Sequence, residues 1–168
     1  LCSGAMVPQA PRFRLVVLCT GNTCRSPLAA AAFREELGAD LERVEIVSAG
    51  TAAAEGQPAS AGAAAAGARD GLDLSAHRAR RLEAALLQGA DLVFVMEREH
   101  LRAATALGAD PDRTHVLSEW PSPGEPEAVV ADPFGGSAET YEECLRRIRR
   151  HVRRIVPHVR AAARSRPA

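Results

Sequence analysis

Residues 14–19 read Arg-Leu-Val-Val-Leu-Cys, an apolar run with no polar alternation after its first residue. A strand with one wet face alternates; a short continuous run bounded by turn residues belongs to a strand covered on both faces. The run leads into the turn pair Gly21-Asn22. Pro27 then opens an alanine-rich stretch over residues 28–37, and Gly38 closes it. Proline in the first turn and glycine just past the last residue are the expected limits of a helix. A doubly covered strand feeding a helix through a tight loop restricts the chain to a parallel sheet with helices on both faces.

The remaining pattern fits that restriction. Residues 44–48 read as a second strand, 91–96 as a third buried one and 115–118 as a fourth. Between them, residues 59–70, 81–88 and 97–107 read as helices, the first poorly patterned in alanine and glycine. Residues 120–136, rich in proline and glycine, read as a long loop, and such a loop in a compact domain is usually functional. A last helix is expected over 138–156, with Ser137 as its N-cap and Pro157 kinking or ending it. The expected fold is α/β in three layers, a four-stranded parallel sheet with helices on both faces. One domain is expected over 12–160, with flexible ends at 1–11 and 161–168.

Ligands of such sheets bind at the carboxyl ends of strands, and Cys19 stands at one. Successive backbone N–H groups between Cys19 and Ser26 can converge into an anion-binding nest, and the following helix points its positive end at the same spot. Gly21 is read as the residue that lets the loop bend tightly. Arg25, six residues after Cys19, can return its planar fork to an anion above the sulfur. A thiol in such surroundings favours its ionised, nucleophilic form, and Ser26 can donate a hydrogen bond to it. On this reading Thr20, Gly21, Asn22, Thr23, Cys24, Arg25 and Ser26 bind phosphate above an attacking Cys19.

The run Val17-Leu18-Cys19-Thr20-Gly21-Asn22-Thr23-Cys24-Arg25-Ser26-Pro27 resembles the signature of the low-molecular-weight protein phosphatase family. Ser48-Ala49-Gly50-Thr51 resembles the family's motif after its second strand, residues 91–96 its third strand, and Asp132-Pro133-Phe134-Gly135 its acid loop. The resemblance covers residues 14–156. It implies that Cys19 is the nucleophile, passing through a cysteinyl-phosphate, and that Asp132 is the general acid. A carboxyl on a long loop suits that task, because the leaving group departs better protonated, and Pro133 holds Asp132 extended. The resemblance also implies that Asn22, Ser48 and His77 brace the loop, and that Cys24 either packs or pairs reversibly with Cys19 under oxidation. No metal or cofactor is implied.

Tyrosine-directed members resemble one another in a branched apolar residue at the position of Thr23 and in aromatic walls around the cavity. This chain has Ala52-Ala53-Ala54 at one such wall and a lone Phe134 at the other. Thr23 and the run Asp132-Pro133-Phe134-Gly135-Gly136-Ser137 instead resemble the bacterial protein-arginine phosphatases. Phosphoarginine in proteins is the expected substrate, with phosphotyrosine as the alternative and Thr23 and Phe134 as specificity residues. Arsenate reduction needs relay cysteines, and none lies between Cys24 and Cys144. An inactive phosphate-binding module would not need Cys19, Arg25 and Asp132 together.

Twenty-one acidic and 21 basic residues, every base an arginine, give zero formal charge and no global attraction for a polyanion. The arginines at 146, 147, 149, 150, 153, 154 and 160 interleave with Leu145, Ile148, Val152 and Ile155, as on a solvated helix face. Nucleic acid is therefore not an expected partner. No apolar run reaches the roughly 20 residues that span a bilayer, and residues 1–11 lack the pattern of a secretory signal. Four cysteines match no secreted disulfide framework. The expectation is a cytoplasmic monomer acting on phosphorylated protein.

Overall fold

Residues 11–122 and 129–167 are described by a computed structural model. At its centre lies β1 (Phe13–Cys19), in which every residue but Arg14 is buried. β1 pairs in parallel with β2 (Val44–Gly50), in register from Phe13 opposite Val44 to Cys19 opposite Gly50. On its other side it pairs with β3 (Leu92–Val95), which carries β4 (Thr114–Val116) at its outer edge. The order is β2-β1-β3-β4, all parallel, the sheet that the sequence implied. The chain moves outward from β1 to β2 and then crosses back to β3. At that reversal a crevice opens beyond the carboxyl ends of the strands.

Alternate residues of the strands feed two separate cores. Leu15, Val17 and Phe94 face α1 (Arg25–Leu37) and α5 (Ala138–Arg164), against which α2 (Ala61–Arg69) also packs. Val16, Leu18, Val93 and Val95 face Leu87 of α3 (Ala84–Leu87) and Ala104 of α4 (Arg98–Ala106). Each fully buried Leu, Val or Phe contributes on the order of 1.5–3 kcal/mol by leaving water. The weak pattern of α2 has a packing reason. A Cβ on Gly62 would lie 2.3 Å from the Tyr141 ring, so only a bare backbone lets this helix approach α5 so closely.

Several boundaries differ from the sequence reading. α1 begins at Arg25, so Pro27 is its third residue; its missing N–H is one that the first turn leaves unpaired anyway. Residues 81–88 form only the four-residue α3, because Arg81 bridges Gly50 and extends the sheet edge beside β2. The fourth strand is Thr114–Val116, and Leu117–Glu119 turn into a short 3₁₀ helix that buries Leu117. Of the long loop at 120–136, residues 123–128 lie outside the described part.

The last helix does not stop near Val156; α5 passes through Pro157 and runs to Arg164. Val159 and Ala163 continue the buried stripe of Ile148, Val152 and Ile155, while Pro157 faces solvent. The burial and the ion pairs of Arg160 and Arg164 with Asp40 outweigh the hydrogen bond that proline forfeits. Of the expected flexible end at 161–168, residues 161–164 are helical, and Arg166 bonds to Asp91 and to the Arg12 carbonyl. The other expected flexible end, 1–11, falls outside the described residues save for Pro11. Several other arginines of α5 meet carboxylates: Arg149 joins Glu35 and Asp70, Arg146 and Arg147 share Glu143, and Arg153 reaches Glu36, while Arg154 donates to the Leu117 and Trp120 carbonyls.

Candidate active site

The loop from Cys19 to Arg25 hangs between the end of β1 and the first turn of α1. Three backbone hydrogen bonds tie it to two neighbouring segments. Thr51 N–H donates to the Cys19 carbonyl and Ala52 N–H to that of Thr20, both at 2.9 Å, and Ser60 N–H reaches the Thr23 carbonyl at 2.9 Å. Gly50 makes this approach possible: a Cβ there would lie 2.5 Å from the Thr20 carbonyl oxygen and 2.9 Å from Asn22 N. Gly21 has no such role. Among the described residues the left-handed backbone of the loop belongs to Asn22 (φ 54°), and a Cβ on Gly21 would meet only the Thr23 hydroxyl at 3.5 Å. The tight bend assigned to glycine is thus made by asparagine, the side chain that best tolerates that conformation.

Asn22 is fully buried and uses both ends of its amide. Its oxygen accepts from Arg80 N–H at 2.9 Å, which orients the amide and leaves the nitrogen to donate to Ser26 (2.8 Å) and Ser48 (3.1 Å). Ser26 Oγ, already accepting, turns its own hydrogen to Cys19 Sγ at 3.0 Å. His77 Nε2 donates to the Asn22 carbonyl at 2.6 Å. Burial pushes the His77 imidazole below its ordinary pKa; the bond to Asn22 opposes this, and Arg34 and Arg78 add to it. The structure therefore brings Asn22, Ser48 and His77 together around the loop, in one chain of bonds that ends on the sulfur.

Arg25 is buried, and its guanidinium sits between the segment after β3 and the loop that carries Asp132. Nη1 pairs with Glu97 and donates to the Val130 carbonyl at 3.2 Å; Nη2 lies 3.5 Å from Asp132 Oδ2. The other Asp132 oxygen accepts from Phe134 N–H at 3.1 Å, a local turn that fixes the carboxyl on its half-exposed loop. Residues 19–21 and 23–25, Asp132 and Phe134 line one cavity of about 230 Å³. Phe134 is 74% exposed. Thr23 is half-buried at the cavity wall, its hydroxyl 3.8 Å from Cys24 Sγ. Cys24 itself contacts Ser60 at 3.1 Å, and Cys19, Cys24 and Cys144 are free thiols.

Sequence reasoning missed Glu97 and His100. Both were read as the start of a helix, yet Glu97 stands two residues past the carboxyl end of β3 beside β1, where a side chain facing the crevice is expected. His100 Nδ1 accepts from Glu97 N–H at 3.1 Å, and its Nε2 lies 2.8 Å from Thr20 Oγ1. Cys144 is nearby but inert, because burial pushes its thiol up to about 12. Among the described residues no group of His, Cys, Asp and Glu is arranged to hold a metal ion, and no helix is long and apolar enough to cross a membrane.

The arrangement provides a sulfur, a buried guanidinium and a carboxyl on one small cavity. The sequence profile described as low molecular weight phosphotyrosine protein phosphatase matches residues 14–165. The protein named "Probable low molecular weight protein-tyrosine-phosphatase EpsP" of Ralstonia nicotianae is 36% identical over 148 residues, 88% of this chain and 96% of that protein. The protein-arginine-phosphatase of Geobacillus stearothermophilus is also 36% identical, over 130 residues, 77% of this chain and 84% of that protein. The low molecular weight protein tyrosine phosphatase from T. tengcongensis has a crystal structure that matches with a TM-score of 0.79 at 33% identity, covering 87% of this chain and 99% of that one. The profile match runs from β1 to the end of α5, and the chain is a member of the low molecular weight phosphotyrosine protein phosphatase family.

Proposed function

We propose that this phosphatase removes phosphoryl groups from proteins through a cysteinyl-phosphate on Cys19, with phosphoarginine as its preferred substrate. The observation that carries the chemistry is the meeting of Cys19, Arg25 and Asp132 on one cavity. In the first step Cys19 Sγ bonds to phosphorus as the bond to the leaving nitrogen breaks, and the Asp132 carboxyl gives that nitrogen its proton. In the second, Asp132 takes a proton from water while the water oxygen attacks phosphorus and expels the sulfur. The products are the free side chain and inorganic phosphate. Loop amides of residues 20–26 and the Arg25 fork stabilise the equatorial oxygens in both steps. The Ser26 hydroxyl, turned to the sulfur by Asn22, stabilises Cys19 as attacking and as leaving group. No step calls for a metal or cofactor.

The preference for arginine rests on Thr23, a hydroxyl on the cavity wall where a branched apolar side chain would favour a phenyl ring. A guanidinium can hydrogen-bond to that hydroxyl, and its leaving nitrogen can accept a hydrogen bond from the protonated Asp132 carboxyl. The protein-arginine-phosphatase relative supports the same reading. Phosphotyrosine is the second reading, favoured by the exposed Phe134 ring, which offers a stacking face, and by the EpsP relative. The proposed setting is a cytoplasmic monomer with reduced cysteines, acting on protein rather than on nucleic acid or membrane.

Turnover of peptides carrying phosphoarginine and phosphotyrosine tests both parts. The parent is expected to favour phosphoarginine, Thr23→Ile to shift toward phosphotyrosine, and Cys19→Ser to lose activity on both. A strong phosphotyrosine preference in the parent would defeat the arginine reading, and full activity in Cys19→Ser would defeat the mechanism.

A further inference from the structure

His100 is a buried imidazole that the mechanism above does not use. It lies on α4, one turn beyond the carboxyl end of β3, and faces Thr20, the residue after Cys19. Which nitrogen carries its proton follows from its neighbours. Glu97 N–H donates to Nδ1, so Nδ1 is the acceptor and a neutral ring holds its hydrogen on Nε2. The Glu99 carboxylate, 3.6 Å from Nε2, favours the same tautomer. Burial, reinforced by the Arg25 guanidinium, keeps the ring neutral against the carboxylates of Glu97, Glu99 and Asp132.

The tautomer decides what Thr20 offers the cavity. With Nε2–H donating to it at 2.8 Å, Thr20 Oγ1 is an acceptor toward the imidazole, and its own hydrogen must turn elsewhere. Thr20 lines the cavity beside Cys19. The opposite tautomer would draw the hydroxyl hydrogen to the ring and leave only lone pairs toward an anion, which repel it.

We propose that the Thr20 hydroxyl is a further hydrogen-bond donor to the phosphoryl group, and that His100 is a positioning residue that sets the direction of that bond. The helix cap at Glu97 is then coupled to the active site: one imidazole closes the first turn of α4 and polarises a hydroxyl on the loop. Glu97 pairs with Arg25 as well, so the same segment orients two groups that meet the anion.

This inference rests on the phosphatase reading, and its test separates the two. Thr20→Val is expected to lower kcat on p-nitrophenyl phosphate roughly ten- to hundredfold, the weight of one hydrogen bond to a charged group, and Thr20→Ser to restore it. His100→Asn keeps an acceptor near the position of Nδ1 but has no donor at Nε2, and is expected to lose a comparable factor. The double variant should be no worse than the weaker single one. Nitrogen NMR of the histidine-labelled parent should report the Nε2–H tautomer at neutral pH, and inorganic phosphate should bind Thr20→Val more weakly than the parent. A Thr20→Val protein with parental kcat and phosphate affinity, losses that multiply in the double variant, or an Nδ1–H tautomer would each overturn the proposal. A parent that binds phosphate yet hydrolyses no phosphorylated substrate would overturn the phosphatase reading instead, and the tautomer and phosphate affinities would still decide the role of His100.

Discussion

Asn22, Ser26 and Arg25 lie within four residues of one another, yet each is held by a different part of the chain. Asn22 is fixed by Arg80 and Ser48, Ser26 by Asn22, and Arg25 by Glu97 and Val130. The loop's shape therefore depends on residues far away in sequence. Gly50→Ala tests this directly. Its new Cβ would meet loop backbone that has no side chain to swing aside, so we expect a loss of about 1–3 kcal/mol in stability and a larger loss of kcat, read by denaturant unfolding and turnover. Asp132→Asn keeps the shape of the side chain but carries no proton to give. Peptide turnover is expected to fall about 10²- to 10⁴-fold with stability unchanged. The candidate nucleophile and guanidinium stood out in the sequence because they sit in one contiguous motif, whereas the candidate acid, Asp132, was assigned only by the resemblance of residues 132–135 to a family loop. Glu97 and His100 did not stand out, because their positions depend on β3 lying beside β1, and nothing local in residues 97–100 announces it.

At the scale of elements, the strands were the most legible part, since runs buried on both faces leave little alternative. Helices failed where tertiary contact overrode a local rule. Residues 81–88 look helical, but pairing with Gly50 takes their first residues into the sheet edge. Pro157 is a local stop signal that α5 ignores, because Val159 and Ala163 still face the core. Two measurements follow. Pro157→Ala restores a helical N–H at an exposed site and should raise stability by about 1–3 kcal/mol in chemical denaturation. Removing residues 157–168 should destabilise by several kcal/mol, since it exposes the surface under Val159 and strips Asp40 of both arginines. A truncated protein as stable as the parent would mean that the last two turns of α5 are ornamental.

For the whole molecule, acid stability follows from its histidines. His77, His100 and His115 all lie below their ordinary value of 6.5, with burial the largest cause in each. Below that value the unfolded chain binds more protons at these sites than the folded one, so stability rises with pH there. Their contribution is complete above about 6.5 and is lost as pH falls toward the lowered folded values. We expect Tm to drop between pH 7 and pH 5, and His115→Gln, remote from the cavity, to flatten that slope without changing turnover. A Tm that stays level or rises over this interval would contradict the assignment.

Arg166 bonds to the Arg12 carbonyl at 3.0 Å and pairs with Asp91, so residues 12 and 166 lie side by side where β1 and β3 begin. Cys19 sits at the opposite pole of the same strands. A short peptide could therefore join these two positions and new ends be opened in an exposed loop, giving a circular permutant whose catalytic pole is untouched. For the same reason a fluorescent reporter or an immobilising tag joined at either of these positions would be attached a full strand's length from the cavity.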